Sequence, residues 1–178
     1  ALISSQMDWF KYNWYWNKVS VTGFANAKKQ PLRHVEDVCI FCKTSTNYYP
    51  QGLIEVNKTN RNGVSVGGDT LRTSVENSKN KGSLRTEGKE YVQTHTNYPK
   101  QLLTFHRERG LHPTQKPVAL FEYLIKTYTN EGETVLDNCA GSGTTAVAAE
   151  NTNRKWICIE QLPEYYYPAV MRVAGAVA

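Results

Sequence analysis

The chain has no apolar run approaching the ~20 residues that cross a bilayer, so neither a transmembrane helix nor a membrane partner is expected. A secretory leader is also missing: ALISSQMDWF, residues 1–10, lacks a basic start and a long apolar middle. No initiator methionine stands at position 1, so the natural start is expected upstream of Ala1. Cysteine is scarce, with Cys39, Cys42, Cys139 and Cys158 alone. CIFC is one close pair with no second to complete a zinc site. On a strand, residues three apart point to opposite faces, so these two thiols do not converge. All four are expected to be reduced, as in cytoplasm, with no metal bound. No internal repeat is present.

Charge is sparse in one sign and localised in the other. Net charge is +5. Residues 43–109 hold 11 Lys and Arg against 6 Asp and Glu, and the remainder is balanced. A localised positive excess suits a polyanion such as nucleic acid, although a solvated loop gives the same count.

At 178 residues the chain is one domain or part of a larger one. Three segments differ in character. In residues 1–43, KYNWYWNK places Tyr12, Trp14 and Trp16 on one strand face, with Asn13, Tyr15 and Asn17 on the other. EDVCIFCK reads as a second strand, and the two are expected to pair antiparallel. A short helix is expected at the start. The set Trp9, Trp14 and Trp16 is read as core rather than as a stacking platform. Residues 44–109 are a polar insertion, too long for a plain connector. Between Asn57 and Gly82 only Val64, Val66, Leu71 and Val75 are aliphatic.

Residues 110–178 read as an α/β unit. KPVALFEYLIKTYTNEG is an amphipathic helix, with Leu120, Leu124 and Tyr128 on one face and Phe121 and Ile125 beside them. Pro117 suits its first turn and Gly132 its end. ETVLDNC is a strand, GTTAVAAENT a helix and KWICIEQ a second strand: a βαβ unit with a parallel pair. A final helix in PEYYYPAVMRVAG is expected to be broken or delayed by Pro168.

Between the first strand and its helix lies DNCAGSGTT, residues 137–145. Gly141 permits a tight turn, and Gly143 allows a ligand close to the backbone. The helix N-terminus offers free N–H groups to an anion. Glu160 ends the next strand, 19 residues after Gly141, where a carboxylate can accept both hydroxyls of a ribose. GSGTTA also fits a dinucleotide fingerprint. Asp137 discriminates: a carboxylate at the strand tip repels a pyrophosphate and attracts a cationic ligand. S-adenosylmethionine carries a sulfonium and an amino group, so it is favoured over a nicotinamide cofactor. The nicotinamide reading stays open here. So does a third, a non-catalytic DNA-binding module.

Two motifs, HPTQKP at residues 112–117 and DNCAGSGTT, are separated by one helix. Together they resemble the permuted, beta-class amino-methyltransferases of DNA from bacteria and phages, which modify adenine N6 or cytosine N4. Residues 8–45 and 105–167 carry the resemblance. It implies an α/β fold, a partial Rossmann-like methyltransferase sheet: a parallel cofactor unit, an antiparallel strand pair and an irregular polar insertion. It implies S-adenosylmethionine as cofactor, held by Asp137, Ala140, Gly141, Ser142, Gly143 and Thr144, with Glu160 on the ribose. His112, Thr114 and Lys116 close over the methionine end. Double-stranded DNA is the implied partner, with adenine N6 favoured as the target. Lys28, Lys29 and Arg33 are candidate phosphate contacts, and Lys58, Arg61, Arg72, Lys79, Lys81 and Arg85 lie in the recognition segment.

The sequence departs from the family twice. Asn138 and Cys139 replace a Pro-aromatic pair after the aspartate. No Pro-Pro pair occurs anywhere, whereas the family's catalytic motif contains one. That motif is expected upstream of Ala1, so these residues are read as the C-terminal part of an enzyme, expected to bind the donor weakly, if at all, and not to turn over alone. One edge of the strand at 134–138 is then expected to be open, with exposed apolar faces.

Overall fold

The computed structural model describes residues 2–61 and 90–177. Two compact units are present: residues 1–51 with 99–178, and residues 52–98. In the larger, α1 (Leu2–Ser5) and a 3-10 turn (Met7–Trp9) lead into β1 (Phe10–Thr22), which pairs antiparallel with β2 (Arg33–Phe41). The pairing expected from the alternating pattern is therefore present. A third strand, β5 (Leu102–Thr104), runs parallel to β1, with Trp16 opposite Leu103. It falls within the range read as polar insertion but belongs to the main unit. In the smaller unit, β3 (Ile54–Arg61) and β4 (Glu90–Thr96) pair antiparallel. The described flanks of the insertion are thus regular strands.

Helix α2 (Val118–Tyr128) has two apolar flanks and serves two clusters. Leu120 packs with Trp14, Trp16 and Leu103 on the sheet, with Leu124 beside them, and Ile125 packs with Ala148 and Ala149. Trp16 and Leu120 are each 2% exposed, and full burial of such a side chain stabilises by roughly 1.5–3 kcal/mol. Trp14 Nε1 donates to Tyr128 Oη at 2.6 Å, and Trp16 Nε1 donates to the Phe105 carbonyl at 2.8 Å, so neither indole is left unsatisfied. The expected grouping holds for Trp14 and Trp16, whereas Trp9 stays 40% exposed.

The βαβ unit follows as the sequence indicates. β6 (Thr134–Asp137), α3 (Thr144–Glu150) and β7 (Lys155–Cys158) form a parallel pair crossed by one helix. Val135 and Trp156 face the helix layer, and Leu136 and Ile157 on the other face are exposed. Among the described residues β6 pairs with β7 alone, leaving its second edge open. The last helix, α4 (Pro163–Val177), differs from expectation: it runs unbroken through Pro168. Proline there removes one N–H from the ladder without ending the helix. No helix among the described residues is long and apolar enough to cross a membrane.

Candidate functional site

Two loops converge at the carboxyl end of β6. The first, before α2, is a self-bonded turn. His112 Nδ1 accepts the Thr114 N–H at 3.1 Å, which leaves the proton of a neutral ring on Nε2. The Gln115 N–H donates to the His112 carbonyl, and Gln115 Oε1 accepts the Leu111 N–H. The His112 ring meets Tyr165 of α4 edge-on at 4.2 Å.

The second is the glycine loop. Gly141 and Gly143 have φ of +52° and +73°, which side chains rarely tolerate. Space is limiting as well at Gly143, where a Cβ would lie 3.1 Å from the Ala169 Cβ; at Gly141 a Cβ would meet the His112 ring at 3.5 Å, an ordinary contact, and the backbone angle is the constraint. Glycine therefore lets the first loop and α4 close onto the second. Thr144 Oγ1 donates to the Lys116 carbonyl at 3.2 Å and fastens the loops together.

The result is a cavity of about 220 Å³ lined by His112, Thr114, Lys116, Asp137, Ala140, Gly141, Ser142 and Thr144, with Gln115, Phe121, Cys139 and Thr145. Eight of the ten residues expected at the cofactor thus share one cavity. Gly143 and Glu160 line a separate, mainly apolar cavity of about 280 Å³, with Trp156, Tyr166 and Val170. A larger cavity of about 450 Å³ beside Trp14 and Tyr48 has no carboxylate, histidine or lysine in its lining.

Both acidic groups are held by neighbouring backbone N–H groups. Asp137 accepts the Cys139 N–H on Oδ1 at 2.9 Å and the Thr145 hydroxyl on Oδ2. Glu160 accepts the Leu162 and Gly141 N–H groups, which hold its carboxyl below the usual value. A carboxylate has about four acceptor positions, so each keeps capacity for a ligand's hydroxyl or ammonium groups. The Cys158 thiol is pushed up to about 11 by burial and by the Asp137 charge, so it stays protonated.

Lys116 is placed less simply than the sequence suggests. Its ammonium bonds Glu36 Oε2 at 2.6 Å and lies 5.3 Å from the Trp16 ring centre. Lys18, whose side chain is 6% exposed, bonds the other oxygen of Glu36 at 3.2 Å. The β1–β2 register breaks between Asn17 and Thr22, where Val19 adopts φ +65°, unusual for a β-branched residue. Two cations thus share one carboxylate beside the cavity. Burial raises the Glu36 pKa, but the hydrogen bonds and charges of Lys116 and Lys18 outweigh it and leave it lowered.

Sequence reasoning missed Arg172 and Glu108. Arg172 on α4 donates to the Ser142 carbonyl at 3.1 Å, to Ser142 Oγ at 3.3 Å and to Thr144 Oγ1 at 3.0 Å. Its other nitrogen meets Glu108 Oε2 at 3.2 Å. Neither residue lies near the glycine motif in sequence, so no local signal marks them.

Of the candidate DNA contacts, Lys28 and Lys29 lie exposed in the β1–β2 connection and Arg33 begins β2. Lys58 is on β3 and Arg61 ends it. Arg72, Lys79, Lys81 and Arg85 lie outside the described residues.

A family model described as DNA methylase, of the N6/N4 type, matches residues 2–171. The type II methyltransferase M.HindIII of Haemophilus influenzae is 42% identical over 79 residues, 44% of this chain and 25% of its own length. Among solved structures, the M1.HpyAVI–SAM complex is 25% identical with a TM-score of 0.55, covering 92% of this chain and 62% of that one. The cytosine-N4-specific PvuII DNA methyltransferase is 22% identical with a TM-score of 0.58, covering 92% and 51%, and supports the fold. The matched stretches span 21–28% of the length of these curated relatives.

Proposed function

Because the chain belongs to the N6/N4 DNA methylase family, we propose that the cavity between its two loops binds S-adenosylmethionine for methyl transfer to an exocyclic amino group of DNA. The observation that carries this reading is the meeting of His112–Lys116 with Asp137–Thr145 around one polar cavity. Its donor set fits the ligand. Asp137 would hold the amino and sulfonium end inside this cavity, and Glu160, which lines the neighbouring apolar cavity, would hold the ribose hydroxyls. The Ala140–Thr144 segment would line the pocket, with Gly141 directly beside the His112 ring. Thr114 and Lys116 would face the methionine carboxylate, with Lys116 shared between that group and Glu36.

Bound there, S-adenosylmethionine supplies an electrophilic methyl on a good leaving group. The chain's own residues fix its position, and alignment accounts for much of the acceleration in such a displacement. The target base must leave the stack, at a cost of about a few kcal/mol. We favour adenine N6 as the target. Lys28, Lys29, Arg33 and the basic residues of the recognition segment would contact double-stranded DNA. The 178 residues contain no Pro-Pro motif to bind the target amino group, so we propose that they do not turn over alone. Nicotinamide binding has no support from the family, and Asp137 disfavours a pyrophosphate.

Titration calorimetry with S-adenosylmethionine and with a nicotinamide dinucleotide tests the reading. The expected result is saturable binding of the first and none of the second. Absence of donor binding, or tighter dinucleotide binding, would overturn it.

A further inference from the structure

We propose that Arg172 is a positioning residue: from behind the cavity, it holds the glycine loop and the start of α2 in fixed register, and so sets donor affinity. The effect on donor affinity rests on the function proposed above, and the fixed register on geometry alone.

Arg172 lines neither the polar nor the apolar cavity. Its guanidinium is nevertheless the point where three segments meet. One nitrogen serves the glycine loop through Ser142 and Thr144. The second meets Glu108, whose other oxygen accepts the Val118 N–H at 2.9 Å. That bond matters because α2 begins after Pro117, which provides no side-chain cap. Glu108 is therefore the cap of α2, supplied from outside the helix. It also accepts from Gln115 of the first loop at 3.4 Å.

Thr144 completes the circuit. Its hydroxyl proton goes to the Lys116 carbonyl, leaving its oxygen to accept from Arg172. Ser142 and Thr144 are 3% and 4% exposed and the Arg172 side chain is 18% exposed, so water competes poorly at the glycine-loop arm, while Glu108 at the other arm is 38% exposed. The geometry requires arginine. A guanidinium presents a planar fork of five donors and reaches both segments at once, whereas a lysine ammonium is a single point.

The alternative is that Arg172 only anchors α4. Backbone hydrogen exchange on the 178-residue chain separates the two. Under the proposal, R172A accelerates exchange at residues 141–145 and at 118–121 together, and E108Q accelerates 118–121 while α4 stays protected. R172K gives an intermediate loss in both segments and serves if R172A fails to fold. Donor affinity falls about tenfold in R172A, the loss of roughly one charged hydrogen bond, and partly recovers in R172K. Faster exchange confined to 163–177, or an unchanged α2 start in E108Q, overturns the proposal. So does coupled loosening with unchanged donor affinity. If the unsubstituted chain binds no donor, the function reading fails, and the exchange pattern still decides whether Arg172 fixes the register.

Discussion

Glu160 Oε2 accepts the Gly141 N–H at 2.7 Å, while Oε1 accepts the Leu162 N–H at 2.9 Å. One side chain thus joins the end of β7 to the glycine loop, and those two N–H groups favour its charged form. Its pKa is lowered, so the carboxylate stays charged to a more acidic pH than an ordinary glutamate. Glu160→Gln keeps one acceptor oxygen and loses the charge. Donor affinity is expected to fall about tenfold, with little change in thermal stability because the group is at the surface. Calorimetry at neutral pH measures the first and thermal unfolding the second. Unchanged affinity would remove Glu160 from the ligand.

The Lys18–Glu36–Lys116 cluster predicts a pH effect of definite sign. The Glu36 pKa is lowered in the folded state, so its stabilising contribution is complete above 4.5 and is lost as pH falls through the folded value. Glu36→Gln leaves Lys18 buried without its counter-charge. A loss of about 2 kcal/mol is expected at neutral pH, discounted for the partial exposure of Glu36. As pH falls through the lowered Glu36 value the difference between the two proteins should shrink, because the parent carboxylate then takes up a proton too. Urea unfolding at several pH values checks this. A difference constant with pH would show that the charge is idle.

What the sequence made legible is what local spacing encodes. The 3.6-residue rhythm of α2, the strand–glycine–helix succession at 134–150 and the alternation of β1 each depend on neighbours in the chain. Strand β5 escaped because three residues, LLT, are too few to show a period, and its partner lies 87 positions away. The Glu108 cap and the Arg172 clamp escaped for the same reason: their partners meet only after the chain folds. Pro168 was misread because helix disruption was inferred from the residue alone. Packing of α4 against α3, with Ala169 buried against Gly143, holds the helix through the lost bond.

That contact gives a prediction in which two costs separate. Gly143→Ala must adopt φ +73° and place its Cβ 3.1 Å from that of Ala169. Together these should cost roughly 1–3 kcal/mol. Ala169→Gly in the same chain removes the collision but not the backbone strain. The double variant should therefore be less destabilised by G143A than the parent is. A double-mutant cycle from denaturant unfolding measures the coupling. Strict additivity would show that α4 already moves to make room.

Lys28, Lys29 and Arg33 provide a test of DNA contact that needs no catalysis. All three are exposed around the β1–β2 connection, where solvation alone would explain them. Phosphate contact is distinguished by salt. Each neutralised phosphate releases counterions, so the logarithm of the binding constant falls with the logarithm of salt at about 0.9 per contact. Replacing all three with alanine should weaken binding to duplexes of any sequence and reduce that slope by about 2.7. Fluorescence anisotropy with two unrelated duplexes across a salt series gives both quantities. A slope equal to that of the parent would mean that the three cations face water, and that the phosphate-binding surface lies on another part of the chain.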